Sequence, residues 1–320
     1  PLPAVSQHDA RIARRRSQAE LIRQGKALRA AEIKPGGAMK KRFWKDVTVK
    51  EVPDGWQIHL DSRPVRTPSK TTLTIPPAKP QLAAAVALEW DLLVSAQQAL
   101  KQHLIPLTSL VSRAEDIREQ DRRREGKTRE EIVDTVMRYL DTDTLLCWAP
   151  ETLSPSSSTE AGQGRRKSLR EIQIQTAQPI LAFLSTHVWP GVEIHPVTDA
   201  DSIVPKSQPR TTRDIIRGWV TGLPAYELAG LERAVLAGKG LLTAARLIAE
   251  WSPIYSHLRE DGASGHGPRF GIEEAAEAVS TEVRWQTDVW GEVEDTHDVE
   301  KEDLRRQLGS VILLVSEKRQ

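Results

Sequence analysis

The side chains able to do chemistry are scattered along this chain, and their spacing excludes most of what they could do. Asp141 and Asp143 flank a tight turn, with Glu151 a few residues further on. Three carboxylates so placed could bind calcium, yet the twelve-residue loop with glycine sixth and glutamate last is absent. The plainer reading is that Asp141 and Asp143 end a helix and shape the turn in Tyr139-Leu140-Asp141-Thr142-Asp143. Gly238-Lys239-Gly240 sets a lysine beside glycine, as phosphate-binding loops do. Arg233 stands where such a loop needs its first glycine, and Gly240 where it needs Ser or Thr, so the segment reads as a helix end closed by a glycine. No two of the 8 histidines have the one-turn spacing of a helical zinc site, and the single cysteine, Cys147, excludes an internal disulfide. Between Leu146 and Trp148, Cys147 is expected in the core with a raised thiol pKa. No Gly-x-Ser-x-Gly elbow is present. Neither a metal nor a cofactor is expected.

One segment stands apart. From Ile272 to Asp303 the sequence holds twelve Asp/Glu against only Arg284 and Lys301. Drawn as one helix, it turns Ile272, Ala276, Val279, Val283 and Trp290 toward a core. Glu282, Trp285 and Val289 fall together on a neighbouring face. A Trp and a Val beside a carboxylate, off the core line, fit an interaction patch, since Trp is enriched at interface hot spots. They equally fit a Trp285 packed on another helix beside solvated carboxylates.

The elements that must position these residues follow from periodicity. The first forty residues carry nine Lys/Arg against three Asp/Glu, lack an initiator Met and show no strong apolar period. They read as a basic arm, either a solvated tail or the remnant of an arginine-rich import leader. Val47 and Val49, then Trp56, Ile58 and Leu60, alternate about the turn Pro53-Asp54-Gly55, and Leu73 with Ile75 adds a short strand: a small antiparallel sheet. Beyond Pro80 helical spacing takes over, with Leu82, Val86, Trp90 and Leu93 on one face. Thr128 and Glu131 form a capping-box signature for a helix with Ile132, Val133, Val136, Met137 and Leu140 inward. The expected fold class is α+β. Residues 1–40 form the arm, 41–80 the antiparallel β domain and 81–320 a helical domain with mobile inserts near 149–167 and 260–271. Trp44, Trp56 and Trp90 are expected to join sheet and helices.

Composition limits partners. With 45 Lys+Arg against 44 Asp+Glu the net charge is +1, so no overall field favours nucleic acid. A hydrophobic share of 39% suffices for a sizeable core. No apolar run approaches the roughly 18 residues of a membrane helix, so an integral membrane protein is not expected.

Six blocks in fixed order carry a family resemblance. They are Arg42-Phe43-Trp44-Lys45, Leu60 through Pro68, Ala87-Leu88-Glu89-Trp90-Asp91, Pro106 through Leu110, Tyr139 through Cys147, and Glu282 followed by Trp285-Gln286 and Trp290-Gly291. In these the chain resembles the mitochondrial ATP synthase assembly chaperone that acts on the α subunit of the catalytic head. The resemblance implies a holdase of the mitochondrial matrix rather than an enzyme. Such a protein binds the unassembled α subunit, shields its β-subunit interface and is displaced as the α/β hexamer forms. It also makes the arm easier to read as an import-leader remnant. The family's functionally sensitive acidic position falls on Glu282, which favours the interaction patch. Expected partner-binding residues are Glu282, Trp285, Gln286, Val289 and Trp290, with Glu292, Glu294 and Asp295 supplying charge. The rival is a small-molecule enzyme using Asp141, Asp143 or Glu282 as acid/base groups.

Overall fold

The computed structural model describes residues 41–150, 167–198, 206–260, 269–293 and 296–318. The arm, residues 151–166 of the first expected insert and 261–268 of the second lie outside them.

Val47 and Val49 do sit in a hairpin. β1 (Val47–Val52) pairs antiparallel with β2 (Gly55–Leu60), with Val47 opposite Leu60 and Val52 opposite Gly55. β3 (Arg63–Pro64) and β4 (Thr74–Ile75) both pair with β2, giving a four-stranded antiparallel sheet. Gly55 turns the hairpin at φ 140°, and a Cβ there would lie 2.0 Å from the Ile75 carbonyl oxygen, so only glycine fits. Ile58, Leu60, Leu73 and Ile75 are buried, and helix α1 (Pro80–Leu92) packs across β1 and β2.

The three tryptophans stand at this junction. Trp44 is buried and meets Trp90 edge-on, with ring centroids 5.6 Å apart. The Trp90 indole donates to Thr108 Oγ1 at 3.1 Å, and that of Trp56 to the Pro77 carbonyl at 3.0 Å. Two 3-10 turns, Ala96–Leu100 and Gln102–Leu104, lead into α2 (Pro106–Arg123). α3 (Lys127–Asp141) buries all five apolar positions read from the sequence, Ile132, Val133, Val136, Met137 and Leu140. The Thr128 capping box does not form. Arg124 and Gly126 turn the chain in left-handed conformations, so α3 opens at Lys127 and Thr128 lies inside its first turn, its amide donating to Gln120 Oε1.

α4 (Leu169–Phe183) carries a capping box of Ser168 and Glu171 and runs into a π turn at Leu184–Val188. α5 (Arg210–Gly222) precedes the central hairpin of α6 (Ala225–Gly238) and α7 (Leu241–Trp251). Lys239, rather than a glycine, takes the left-handed position closing α6. α8 (Ser256–Glu260), α9 (Ile272–Val279), α10 (Thr281–Trp290) and α11 (His297–Val315) complete eleven helices among the described residues. The fold is α+β, with one continuous hydrophobic cluster running from the sheet into the helices. No helix of the described residues is long and apolar enough to cross a membrane.

α11 packs along α6 and returns to the sheet end. There the buried Lys79 ammonium donates to the carbonyls of Val315 (3.0 Å) and Ser316 (3.2 Å) and lies 5.2 Å from the Tyr226 ring centroid. Burial pulls its pKa below the usual lysine value, opposed by Glu227 and Glu317.

Candidate partner-binding surface

The single helix expected from Ile272 to Trp290 is two. At Ser280 (φ −102°, ψ 9°) the helical backbone breaks, and Thr281 Oγ1 bonds back to the carbonyls of Glu277 and Ala278. The apolar stripe loses phase there. α9 keeps its share inside: Ala275, Ala276 and Ala278 are buried, and Glu273 forms a close ion pair with Arg305 of α11 at 2.8 Å. α10 does not, and no residue of it is fully buried. Val283 and Trp290, expected in the core, are exposed, Trp290 by 73%.

Glu282 is exposed, and its carboxylate accepts a hydrogen bond from Gln286 Nε2 at 3.0 Å, one turn on. Trp285 is half-buried on the side of α10 that faces α4, and Trp290 stands edge-on to it at 6.0 Å. Val289 is exposed beside them, and Glu292 follows in the turn that Gly291 opens at φ 92°. Glu294 and Asp295 lie outside the described residues. Trp285, Arg284 and Asp288 line one wall of a cleft of ≈ 730 Å³, opposite Thr176, Pro179 and Phe183 of α4.

Sequence reasoning missed two exposed apolar residues that follow α10 in the chain, Val293 and Val299. The available signal was an isolated valine on each side of an acidic run. Asp298 and Glu300 occupy the first turn of α11, where the helix dipole favours negative charge. Further along, the Arg306 guanidinium holds Asp303 below the usual carboxylate range. Exposed Val283, Val289, Trp290, Val293 and Val299 thus stand among carboxylates along this stretch of the sequence.

The acid/base alternative finds no support in this geometry. Asp143 is fully buried and accepts from the amides of Leu145 (2.9 Å), Leu241 (2.5 Å) and Leu242 (2.8 Å), capping the start of α7. A Cβ on Gly240 would come within 2.6 Å of Asp143 Oδ1, so this glycine makes room for the cap. Burial raises the Asp143 pKa to about 6, although the three amides oppose the shift. Asp141 is ion-paired to Arg213 and accepts the Gln208 amide at 3.1 Å, in a separate cleft of ≈ 520 Å³. Neither cleft is lined by Asp143 or Glu282. Asp141, Asp143 and Glu282 have separate hydrogen-bond partners and share no cleft.

Cys147 is also not a core residue. It pairs with Val197 in an isolated β-bridge, so the side chains alternate: Leu146 points in and Cys147 out. Partial desolvation, with Asp143 and Glu282 nearby, still pushes its thiol pKa up.

Comparison with known proteins agrees with this architecture. Residues 41–185 match the sequence model of the family described as ATP12 chaperone protein. The protein atp12, mitochondrial, of Schizosaccharomyces pombe is 30% identical over 275 residues, covering 86% of this chain and 81% of its own. The protein ATP12, mitochondrial, of Saccharomyces cerevisiae is 28% identical over 284 residues, covering 84% and 81%. These names support a mitochondrial setting. Among solved structures, Atp12 from Paracoccus denitrificans superposes with a TM-score of 0.58 at 19% identity, over 86% of this chain and 97% of its own. A putative chaperone from Agrobacterium tumefaciens gives 0.57 at 23%, over 86% and 85%, and both share the fold. The chain belongs to the ATP12 chaperone family.

Proposed function

We propose that the protein holds the unassembled α subunit of the mitochondrial ATP synthase in the matrix. It covers the surface destined for the β subunit and releases it as the α/β hexamer forms. Membership of a chaperone family supplies the class of activity. The observation that carries the site is α10, a helix with no fully buried residue that displays Trp290 and Val289 beside Glu282. Folding gains nothing from exposed large apolar groups, whereas an orphan subunit presents an apolar interface that would otherwise self-associate. In this reading Trp285, Trp290 and Val289 supply contact area. Glu282 with Gln286 sets specificity, and Glu292, Glu294 and Asp295 attract a basic border on the client.

Co-expression with an α subunit deprived of its β partner tests the reading. The expected result is more soluble α subunit and a co-eluting complex, both lost with Glu282→Lys. An α subunit that aggregates equally with and without the protein refutes it.

A further inference from the structure

We propose that the ≈ 730 Å³ cleft between α4 and the α9–α10 pair binds the C-terminal end of a peptide. The terminal carboxylate sits on Arg246 and an apolar last side chain lies among the surrounding rings. The inference does not depend on which client the protein holds.

Arg246 defines the site. α7 packs against both α4 and α9, and Arg246 closes the cleft from that side. Its side chain is only 9% exposed. The guanidinium carbon lies 3.7 Å from the Phe183 ring centroid and 4.9 Å from that of Phe270, two aromatic contacts that hold the group in place. Nη1 donates to Glu250 Oε2 at 2.7 Å. Nε and Nη2, the parallel pair of donors on the other edge, have no acceptor among the described residues, yet they are not sealed from solvent. In a side chain this buried, the open direction is the cleft that it lines.

That edge fits a carboxylate. Its two N–H groups match the two oxygens of a carboxylate in a bidentate contact. Glu250 does not supply it, being fully buried and shared with Arg269, whose Nε lies 3.4 Å away. Among the described residues two guanidinium groups thus meet one carboxylate at the inner end, and a second carboxylate evens the balance. Burial also pulls the Arg246 pKa down, with Glu250 opposing, so an anion arriving where water is excluded is favoured.

The rest of the lining shows what that carboxylate is attached to. Ile172, Pro179, Ile180 and Phe183 join Phe270 and Trp285 in an apolar surface large enough for one bulky side chain. The charged groups on the α9–α10 side are exposed. Arg284 pairs with Glu277 at 3.1 Å, Glu274 accepts the Gly271 amide at 2.9 Å, and Asp288 makes no ion pair among the described residues. Glu274, Glu277 and Asp288 against Arg284 leave this rim acidic, with only the His187 imidazole added from the α4 side. A simple apolar acid would enter against that rim. A peptide with a basic residue shortly before its end places the cation at the rim and the terminal carboxylate inside.

The test is calorimetric titration of the full chain with the tripeptide acetyl-lysyl-leucyl-phenylalanine. Binding with a Kd below about 1 mM is expected, at least tenfold weaker once the terminal carboxylate is replaced by an amide. Equal affinity for acid and amide, or no binding of either, overturns the proposal. 4-Phenylbutyrate, an apolar acid without a cation, should bind at least tenfold more weakly than the peptide; equal binding overturns the assignment to a peptide. Two variants locate the site. Arg246→Gln should bind acid and amide alike. Ala182→Trp, at an exposed position of the lining, should lose binding with melting unchanged. Should Arg246→Gln fail to fold, Ala182→Trp decides alone: a folded variant that binds the peptide as the wild type does places the ligand elsewhere and overturns the proposal.

Discussion

Between Ala225 and Trp251 the chain hides nearly everything it has, charged groups included; between Thr281 and Trp290 it fully buries nothing. In the α6–α7 hairpin the buried charged groups have partners. Glu227 accepts from Ser252 Oγ at 2.8 Å, and Arg246, stacked 3.7 Å from the Phe183 ring centroid, donates to Glu250 at 2.7 Å. In α10 Val283, Val289 and Trp290 are exposed, and the Trp285 indole N–H has no hydrogen-bond partner among the described residues. Folding explains the buried charges of the first region. The exposed apolar groups of the second are what the proposed client contact would cover, so on that reading charged groups mark structure here and apolar ones mark binding.

Breaking the hairpin should have the largest effect. Glu250 is fully buried between Arg246 and Arg269. Glu250→Ala strands the Arg246 guanidinium in the interior and should cost about 3–5 kcal/mol in urea unfolding. A loss below about 1 kcal/mol would mean that these charges are not a matched set.

Next comes pH. The Asp143 carboxyl titrates at about 6 in the fold against 3.8 for a free group. The folded state therefore favours the protonated form, and that contribution is present below pH 3.8 and lost as pH rises through 6. Relative to Asp143→Asn, the wild type should gain about 2 kcal/mol as pH falls from 7 to 4. A difference that stays flat over this range would show that the cap carries no proton.

On α10 the effect on stability should nearly vanish. Glu282→Lys should change unfolding by less than about 0.5 kcal/mol while abolishing protection of the client. If the Lys and Gln variants both lose folding, Glu282 is structural and the contrast between the two regions collapses. The smallest effect is kinetic. Reversing Glu292, Glu294 and Asp295 to Lys should leave stability unchanged and slow association severalfold at low salt, with a weaker salt dependence. An unchanged on-rate would place the electrostatic contact elsewhere.

Much of the scaffold was legible because its signals are local. Alternation about Pro53-Asp54-Gly55 gave the hairpin, and three-to-four spacing gave the buried faces of α1 and α3. The break at Ser280 was not, since a single serine is compatible with a continuing helix and the wheel carried its phase straight through. Asp143 could be read as a turn residue, but the helix whose start it caps is 98 positions away. Leu88 and Leu92 were hidden for another reason: α1 is apolar around most of its circumference, so periodicity cannot say which leucines stay outside.

The Lys79 contact bears on how the molecule comes into being. The carbonyls that this ammonium needs lie 236 and 237 positions later in the chain. Until those residues have been translated and delivered, the lysine has to stay hydrated and the sheet end cannot seal. A nascent or partly translocated chain is thereby kept open and pliable, and α11 serves as the latch that ends that state.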